Sequence, residues 1–151
     1  MLAIALATLA LVAAAPTPST LLRYHPSVSG NFCLSGMDSG YCSVDGCGLG
    51  LQNFELAGGQ LRQTEGGYNM CIFPEQERNG AKVKGAICTD AHSHWAPGPK
   101  PGTIAWKGYW CLDNASGKAE EGATVEIWKC STTYVNKNQV WSTTPAPAGG
   151  W

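Results

Sequence analysis

The segment Cys111–Trp141 reads CLDNASGKAEEGATVEIWKCSTTYVNKNQVW, and the rest of the chain repeats its plan. It opens with the short run CLD and closes with NQVW. Between these ends, Val125 and Ile127 alternate with Glu126 and Trp128, which is the two-residue period of a strand with one buried face. The segment therefore predicts a strand, a polar loop, a second strand that ends near a tryptophan, and a further loop that leads into a third strand.

This segment resembles one repeat of the ricin B-chain-like lectins, a β-trefoil family. Three motifs carry the resemblance in this order and at this spacing: CLD at 111–113, IWKC at 127–130 and the Q-x-W signature at 139–141. The resemblance implies a β-trefoil, in which three units of four short strands close into one barrel. The composition agrees with an all-β protein, because the chain has 19 Gly, 9 Pro and only 14% charged residues.

Two weaker copies of the segment precede it. Each copy has a cysteine in its opening strand, a second cysteine at the end of its central strand, and an aromatic residue at its close. The first copy opens at Phe32–Ser35 and closes at Phe54, and the second opens at Met70–Phe73 and closes at Trp95. We therefore predict an all-β fold, a β-trefoil of three four-stranded repeats. It would form one domain at 21–145, with repeats at about 21–56, 57–97 and 98–145.

The chain has seven cysteines, which is typical of a protein from an oxidising compartment. Six cysteines can pair in many ways, but the repeats favour one bridge within each unit. We therefore predict three disulfides within the repeats, namely Cys33–Cys47, Cys71–Cys88 and Cys111–Cys130.

Cys42 is left over by this pairing, and we expect it to be a buried free thiol. A bridge to a second chain or an exchange of partners with Cys47 is the alternative, and a catalytic role is least favoured because nothing organises a base beside it. The thiolates with His25, His92 and His94 are candidate zinc ligands, and His92 and His94 would share one face of a strand. We favour the alternative that His92 and His94 are surface loop residues. No C-x-x-C spacing occurs, so we expect neither a metal nor another cofactor.

The two ends of the chain and its net charge indicate where the protein is located. Residues 1–14 are apolar except for Thr8 and end in small residues, so we interpret them as a secretory signal peptide. This run is shorter than a membrane-spanning helix, which needs about 20 apolar residues, so we expect no membrane insertion. Residues 15–20 read as an extended spacer and 146–151 as a tail. The formal net charge of −1 gives no bulk attraction for nucleic acid, and we expect a secreted, extracellular protein.

The resemblance also implies a sugar site in the third unit. Sugar rings present hydroxyls at their edges and C–H patches on their faces, so a site needs polar acceptors and an aromatic plane. By resemblance, Asp113 would accept hydrogens from adjacent hydroxyls, Trp128 would cover the C–H face, and Asn138 would bond a hydroxyl. Gln139 would hold the Asp113 carboxylate, and Glu126 stands where the family often has Gln. The alternative for Asp113 and Gln139 is a structural clamp between two loops.

These side chains are expected at different depths, since only one phase of a strand can face the core. We place Trp141 in the core, and Asp113 and Trp128 at the rim. Asn114-Ala115-Ser116 is an N-x-S acceptor, and a glycan on Asn114 would stand beside Asp113. The other units have lost the site residues: Asp113 is replaced by Ser35 and Phe73, Trp128 by Asp45 and Ala86, and Asn138 by Leu51 and His92.

The sequence thus predicts a secreted, non-catalytic carbohydrate-binding protein with one site in the third repeat. The resemblance implies galactose-type glycans or glycoproteins as partners. Glycoside hydrolysis needs two carboxyl groups across a sugar ring, and no motif here pairs Asp113 or Glu126 with Glu120 or Glu121. Two alternatives remain: a trefoil that inhibits or engages a protein partner through its loops, and a carbohydrate-binding module of a larger secreted enzyme. The sequence does not indicate the oligomeric state.

Overall fold

The computed structural model describes residues 21–36, 40–49, 51–63, 67 and 69–147. The predicted signal peptide, the spacer at 15–20 and residues 148–151 of the tail lie outside this part and stay predictions. Within the described part, no helix is long and apolar enough to cross a membrane.

The described residues form twelve short strands, four in each predicted unit. The ladders between them are antiparallel, and helical structure in the same residues is limited to short 3-10 turns. In chain order the strands are β1 (Leu22–Pro26), β2 (Phe32–Ser35), β3 (Ser43–Gly46), β4 (Glu55–Ala57), β5 (Gln60–Gln63), β6 (Met70–Pro74), β7 (Ala81–Ile87), β8 (Trp95–Pro97), β9 (Ile104–Trp106), β10 (Trp110–Asn114), β11 (Ala123–Lys129) and β12 (Trp141–Pro145).

The first and last strands of the units close a six-stranded barrel. The ladders β4–β5, β8–β9 and β12–β1 join one unit to the next. Within each unit, the aromatic residue that closes the repeat donates its backbone N–H to the start of the same unit. These three hydrogen bonds run from Phe54 to Leu22 O at 2.8 Å, from Trp95 to Gly59 O at 2.7 Å and from Trp141 to Gly102 O at 2.8 Å.

The middle strands of each unit form a hairpin, and the three hairpins meet around the barrel axis. The hairpin strand β11 pairs with both β3 and β7, so the third unit contacts the other two directly. A closed barrel with three such hairpins is a β-trefoil, which confirms the predicted fold class. The three predicted disulfides are also present, each within one unit.

The closing aromatic residues fill the core. Phe54 is fully buried, and Trp95 and Trp141 are each 2% exposed, which confirms the core position predicted for Trp141. A buried indole N–H needs an acceptor. Trp95 Nε1 donates to Ile72 O at 2.7 Å, and Trp141 Nε1 donates to Leu112 O at 3.1 Å. In the second and third units the closing tryptophan thus makes the same contact, with the strand that carries the first cysteine of its unit.

Cys42 lies at the point where the three hairpins meet. Its N–H donates to Val83 O at 2.8 Å and its carbonyl accepts from Val125 N at 3.4 Å. Val83 and Val125 precede the second disulfide cysteine of their units by the same number of residues as Cys42 does. Cys42 is 2% exposed, and burial raises the pKa of its thiol to about 12. It is thus a core residue, and both alternatives, a bridge to another chain and an exchange with Cys47, would require it to leave the core.

Replacing Cys42 by Val should leave the protein folded, because the other two units already place Val at this position. We expect Cys42→Val to change the free energy of unfolding by less than about 1 kcal/mol, as volume-conserving apolar changes usually do. Cys42→Ser should destabilise by about 1–3 kcal/mol, since it buries a hydroxyl without a prepared partner. Urea denaturation with the disulfides intact measures both. An equal loss of stability in Cys42→Val and Cys42→Ser would contradict the assignment of Cys42 to the apolar core.

Candidate functional site

The β10–β11 hairpin presents the predicted site residues of the third unit. Asp113 on β10 stands directly opposite Glu126 on β11. The alternation in β11 turns Val125 and Ile127 into the core, where both are fully buried, and turns Glu126 and Trp128 outward. Trp128 is 44% exposed, which is unusual for so large an apolar side chain.

An open depression of about 200 Å³ lies between these strands and the loop before β12. We call it the acidic pocket. Four of the five predicted sugar-site residues line it, and the fifth, Gln139, is buried at 1% exposure. The residues around the acidic pocket are Asp113, Ala115, Glu126, Trp128, Asn136 and Asn138.

Two lining residues, Ala115 and Asn136, were not predicted. Asn136 caps the 3-10 turn Lys137–Gln139, because its Oδ1 accepts from Asn138 N at 3.1 Å. Only its position two residues before Asn138 in a polar loop could have indicated it. The Asn138 side chain is also held closely by Gly117, which has a φ of 62°. A Cβ at Gly117 would lie 2.7 Å from Asn138 Oδ1 and would push this side chain aside, and the positive φ also favours glycine here.

Gln139 connects Asp113 to the loop after β11. Its Oε1 accepts from Ser131 N at 3.0 Å, and its Nε2 donates to Lys129 O at 3.1 Å. The same side chain hydrogen-bonds the Asp113 carboxyl group. Gln139 itself is buried and held by these bonds, so it orients the Asp113 carboxyl group.

We call this hydrogen-bonded glutamine the amide clamp. The first unit has the same amide clamp, but a serine stands where the third unit has Asp113. Gln52 Oε1 accepts from Gly48 N at 2.9 Å, and Gln52 Nε2 donates to Gly46 O and to Ser35 Oγ, both at 2.9 Å. Ser35 occupies the place of Asp113. The clamp is therefore a feature of the fold, and the carboxyl group is what the third unit adds to it.

Asp113 is buried, with 4% exposure, so its predicted place at the rim is wrong. Asp113 belongs to β10 and faces Gln139 instead of open solvent. Burial raises the pKa of its carboxyl to about 6, the Gln139 hydrogen bond works in the opposite direction, and the charge of Glu126 adds to the rise. Burial also raises the pKa of Glu126. The pocket thus holds a carboxyl group that is costly to ionise.

The equivalent place in the second unit is filled by its own side chains. Phe73 replaces Asp113 and His92 replaces Asn138, and their rings stack at 3.9 Å with an angle of 10° between the planes. Burial lowers the pKa of His92, which favours the neutral ring. Lys84 Nζ lies 5.5 Å from the centre of the Phe73 ring.

In the first unit, Asp45 stands where the third has Trp128. Ser43 Oγ donates to Asp45 Oδ2 at 2.5 Å, and Gly122 N donates to Asp45 Oδ1 at 2.9 Å. Burial opposes ionisation of Asp45, but these hydrogen bonds outweigh it and hold the pKa of the carboxyl below its ordinary value. Its acceptors are thus occupied by the protein itself.

The candidate metal ligands do not form a pair on one strand face. His92 ends the 3-10 turn Asp90–His92 and β8 begins only at Trp95, so the strand-face arrangement is wrong and both histidines lie outside the strands, as the favoured loop interpretation predicts. The His94 ring stands edge-on to Trp106 at 5.1 Å. His25 lies close to Cys33 and Cys47, but both sulfurs belong to a disulfide and offer no thiolate.

The glycosylation acceptor Asn114 is buried, with 1% exposure. Its Nδ2 donates to Lys118 O at 2.9 Å, and this bond closes the turn after β10. Attachment of a glycan would require this nitrogen to become accessible, and glycosylation of Asn114 stays a prediction.

Several solved structures share this fold. A designed 3-fold symmetric protein, ThreeFoil, has a TM-score of 0.65 at 17% identity and covers 82% of this chain and 96% of its own. The C-half of an earthworm R-type lectin, solved in complex with GalNAc, has a TM-score of 0.65 at 15% identity and covers 84% and 99%. A mosquitocidal holotoxin has a TM-score of 0.63 at 12% identity, over 89% of this chain and 17% of the toxin chain. No protein-family model and no curated protein matches the chain, so these likenesses at low identity establish the fold alone.

Replacing Asp113 by Asn should stabilise the protein at pH 8 and much less at pH 4. The carboxyl pKa is raised from 3.8 to about 6 by folding, so the group is neutral in both states only well below pH 3.8, and most of the difference between the states is already lost at pH 4. Above pH 6 the folded state carries the full cost of the buried charge, whereas Asn is neutral throughout and still accepts from Gln139. We expect a gain of about 1–2 kcal/mol at pH 8, less than the full shift implies because the pocket is open to water.

Urea denaturation of both proteins at pH 8, 6 and 4 measures this gain. It should shrink steadily as the pH falls through 6 and be mostly lost at pH 4. A variant that is less stable than the original protein at pH 8 would show that the carboxylate is favourable where it lies.

Proposed function

We propose that this chain is a secreted, non-catalytic carbohydrate-binding protein, a lectin of the ricin B type, with one sugar site at the acidic pocket. The single observation that carries the proposal is the arrangement there. A carboxyl group held by a buried amide, three further polar side chains and a half-exposed indole surround one open depression. In the other two units this arrangement is missing from the described residues.

Each group has a chemical role toward a sugar ring. The Asp113 carboxylate accepts hydrogens from two adjacent hydroxyls, and Asn138 can donate to or accept from a third. The indole of Trp128 covers the apolar C–H face of the ring. Asn138 and Trp128 lose water on binding, and the buried Asp113 must bind in its costly charged form, so the net gain is small and we expect a dissociation constant of roughly millimolar order for a single sugar.

Galactose-type sugars are the proposed ligands. The chain resembles the ricin B-type lectins in the motifs at 111–113, 127–130 and 139–141. An R-type lectin with the same fold was solved with GalNAc. We therefore take glycans or glycoproteins that end in galactose or N-acetylgalactosamine as partners.

The placement of the carboxyl groups supports binding rather than hydrolysis. Asp113 and Glu126 stand side by side on neighbouring strands, so they share one wall of the pocket. A glycosidase needs its two carboxyl groups on opposite sides of the scissile bond. Glu121 is turned away, because its Oε1 accepts from Gly46 N of the first unit. The three disulfides support an extracellular location.

Binding of N-acetylgalactosamine should depend on Trp128 and Asp113. We expect Trp128→Ala and Asp113→Asn each to weaken binding by at least about tenfold, since one removes the stacking plane and the other a charged acceptor. Trp128→Phe should keep part of the affinity, and Asp45→Asn in the first unit should keep all of it. Ligand-observed NMR titration measures these affinities.

The lectin proposal fails if the unmodified protein binds no sugar on a broad glycan array or in this titration. In that case a protein partner that contacts the loops becomes the better explanation. If Asp45→Asn abolishes binding while Asp113→Asn does not, the site lies in the first unit.

The affinity should also fall at low pH, because the carboxylate form of Asp113 is the acceptor. With a pKa of about 6, roughly a tenth of the protein carries the charge at pH 5. We therefore expect the dissociation constant to rise about tenfold between pH 8 and pH 5. Trp128→Phe should show the same pH dependence from a weaker starting affinity. A flat profile over this range would exclude Asp113 as the charged acceptor.

A further inference from the structure

A second depression adjoins the acidic pocket, and Trp128 and Asn136 line both. It has a volume of about 310 Å³ and is completed by Asn79 and the loop 129–134. We call it the tyrosine pocket, because Tyr134 of this loop is 65% exposed at its edge. The two pockets are neighbours, and the indole of Trp128 contributes to the lining of both.

The chemistry of the tyrosine pocket suits a second hydroxyl-rich ring. Tyr134 offers an exposed aromatic plane, and Thr132 and Thr133 offer hydroxyls. Asn79 Oδ1 accepts from Lys129 N at 2.8 Å, so Asn79 can offer its two amide N–H donors to a ligand. Lys129 is the one charged side chain among the residues that line this pocket, and its Nζ lies 5.5 Å from the centre of the Tyr109 ring. Because Lys129 is directed to Tyr109 and the adjoining acidic pocket holds Asp113 and Glu126, an uncharged ring fits better than an acidic one.

The loop that carries Tyr134 is held in place by the same residue that holds Asp113. Ser131 N donates to Gln139 Oε1 at 3.0 Å, and Ser131 Oγ donates to Tyr134 O at 2.7 Å. The second unit supports the other side, where Gly80 N donates to Ile127 O at 3.0 Å. A ligand that meets a loop already ordered in this way loses less entropy on binding.

We propose that the tyrosine pocket is a second sugar subsite, so that the ligand is a neutral oligosaccharide of at least two rings. The terminal ring occupies the acidic pocket and the next ring lies against Tyr134. This inference rests on the proposed function, since the first ring must bind in the acidic pocket. It adds that chain length, and not only the terminal sugar, determines the affinity.

Calorimetric or NMR titration of the intact protein tests this subsite. The probes are N-acetylgalactosamine, galactose, and a panel of neutral di- and trisaccharides that end in either sugar. We expect the best oligosaccharide to bind about tenfold more tightly than its terminal monosaccharide, as one further stacked ring would give. Tyr134→Ala should remove this gain and leave the monosaccharide affinity within about twofold.

Two further variants separate the subsite from a general effect. Tyr134→Phe keeps the ring and should retain most of the gain. Tyr41→Ala changes a tyrosine of the first unit that is 47% exposed and lines neither pocket, and it should leave both affinities unchanged. The subsite is excluded if monosaccharides bind but no oligosaccharide of the panel binds more tightly, or if Tyr134→Ala weakens both ligands equally. Absence of all sugar binding in the unmodified protein would instead overturn the proposed function, and the subsite with it.

Discussion

The whole structure depends on one contact that occurs three times, between the aromatic residue that closes a unit and the strands that open it. The ring enters the common core, and the backbone N–H bonds a carbonyl at the start of the same unit. In the second and third units, this close approach is made at glycine. A Cβ on Gly59 would lie 2.7 Å from Ser93 O, and one on Gly102 would lie 3.2 Å from Trp141 O. Both glycines also have positive φ, so no other residue fits without strain.

This scaffold leaves the outer ends of the hairpins free to differ. The amide clamp on the loop after the hairpin is present in the first unit through Gln52 and in the third through Gln139. In the third unit the clamp holds Asp113 next to Glu126, and this arrangement has a cost because two carboxyl groups stand opposite each other in a partly buried place. A sugar hydroxyl that donates to the Asp113 carboxylate would stabilise the charged form. The cost to stability is therefore consistent with a binding site, where such cost is common.

Most of the fold could be predicted from the sequence because it is repeated. The three cysteine pairs and three closing aromatics occur in the same order in each unit, and each weak motif gains support from its copies. The outward direction of Trp128 followed from the alternation in one strand. The burial of Asp113 could not be predicted from the sequence, since it depends on how closely the amide clamp of Gln139 packs against β10. Asn79 and Gly80 could not be predicted near Trp128 at all, because they belong to the second unit and reach the third only through packing between units.

The three units share one backbone plan but differ in the side chains at the site positions. The central claim is that only the third unit binds sugar. Backbone amide NMR shifts during titration with N-acetylgalactosamine test it most directly, because every unit reports separately in one experiment. The account predicts saturable shifts confined to residues 113–117 and 126–139, together with the indole N–H of Trp128. Shifts of similar size around Ser35 or Phe73, or a second saturation step, would contradict it.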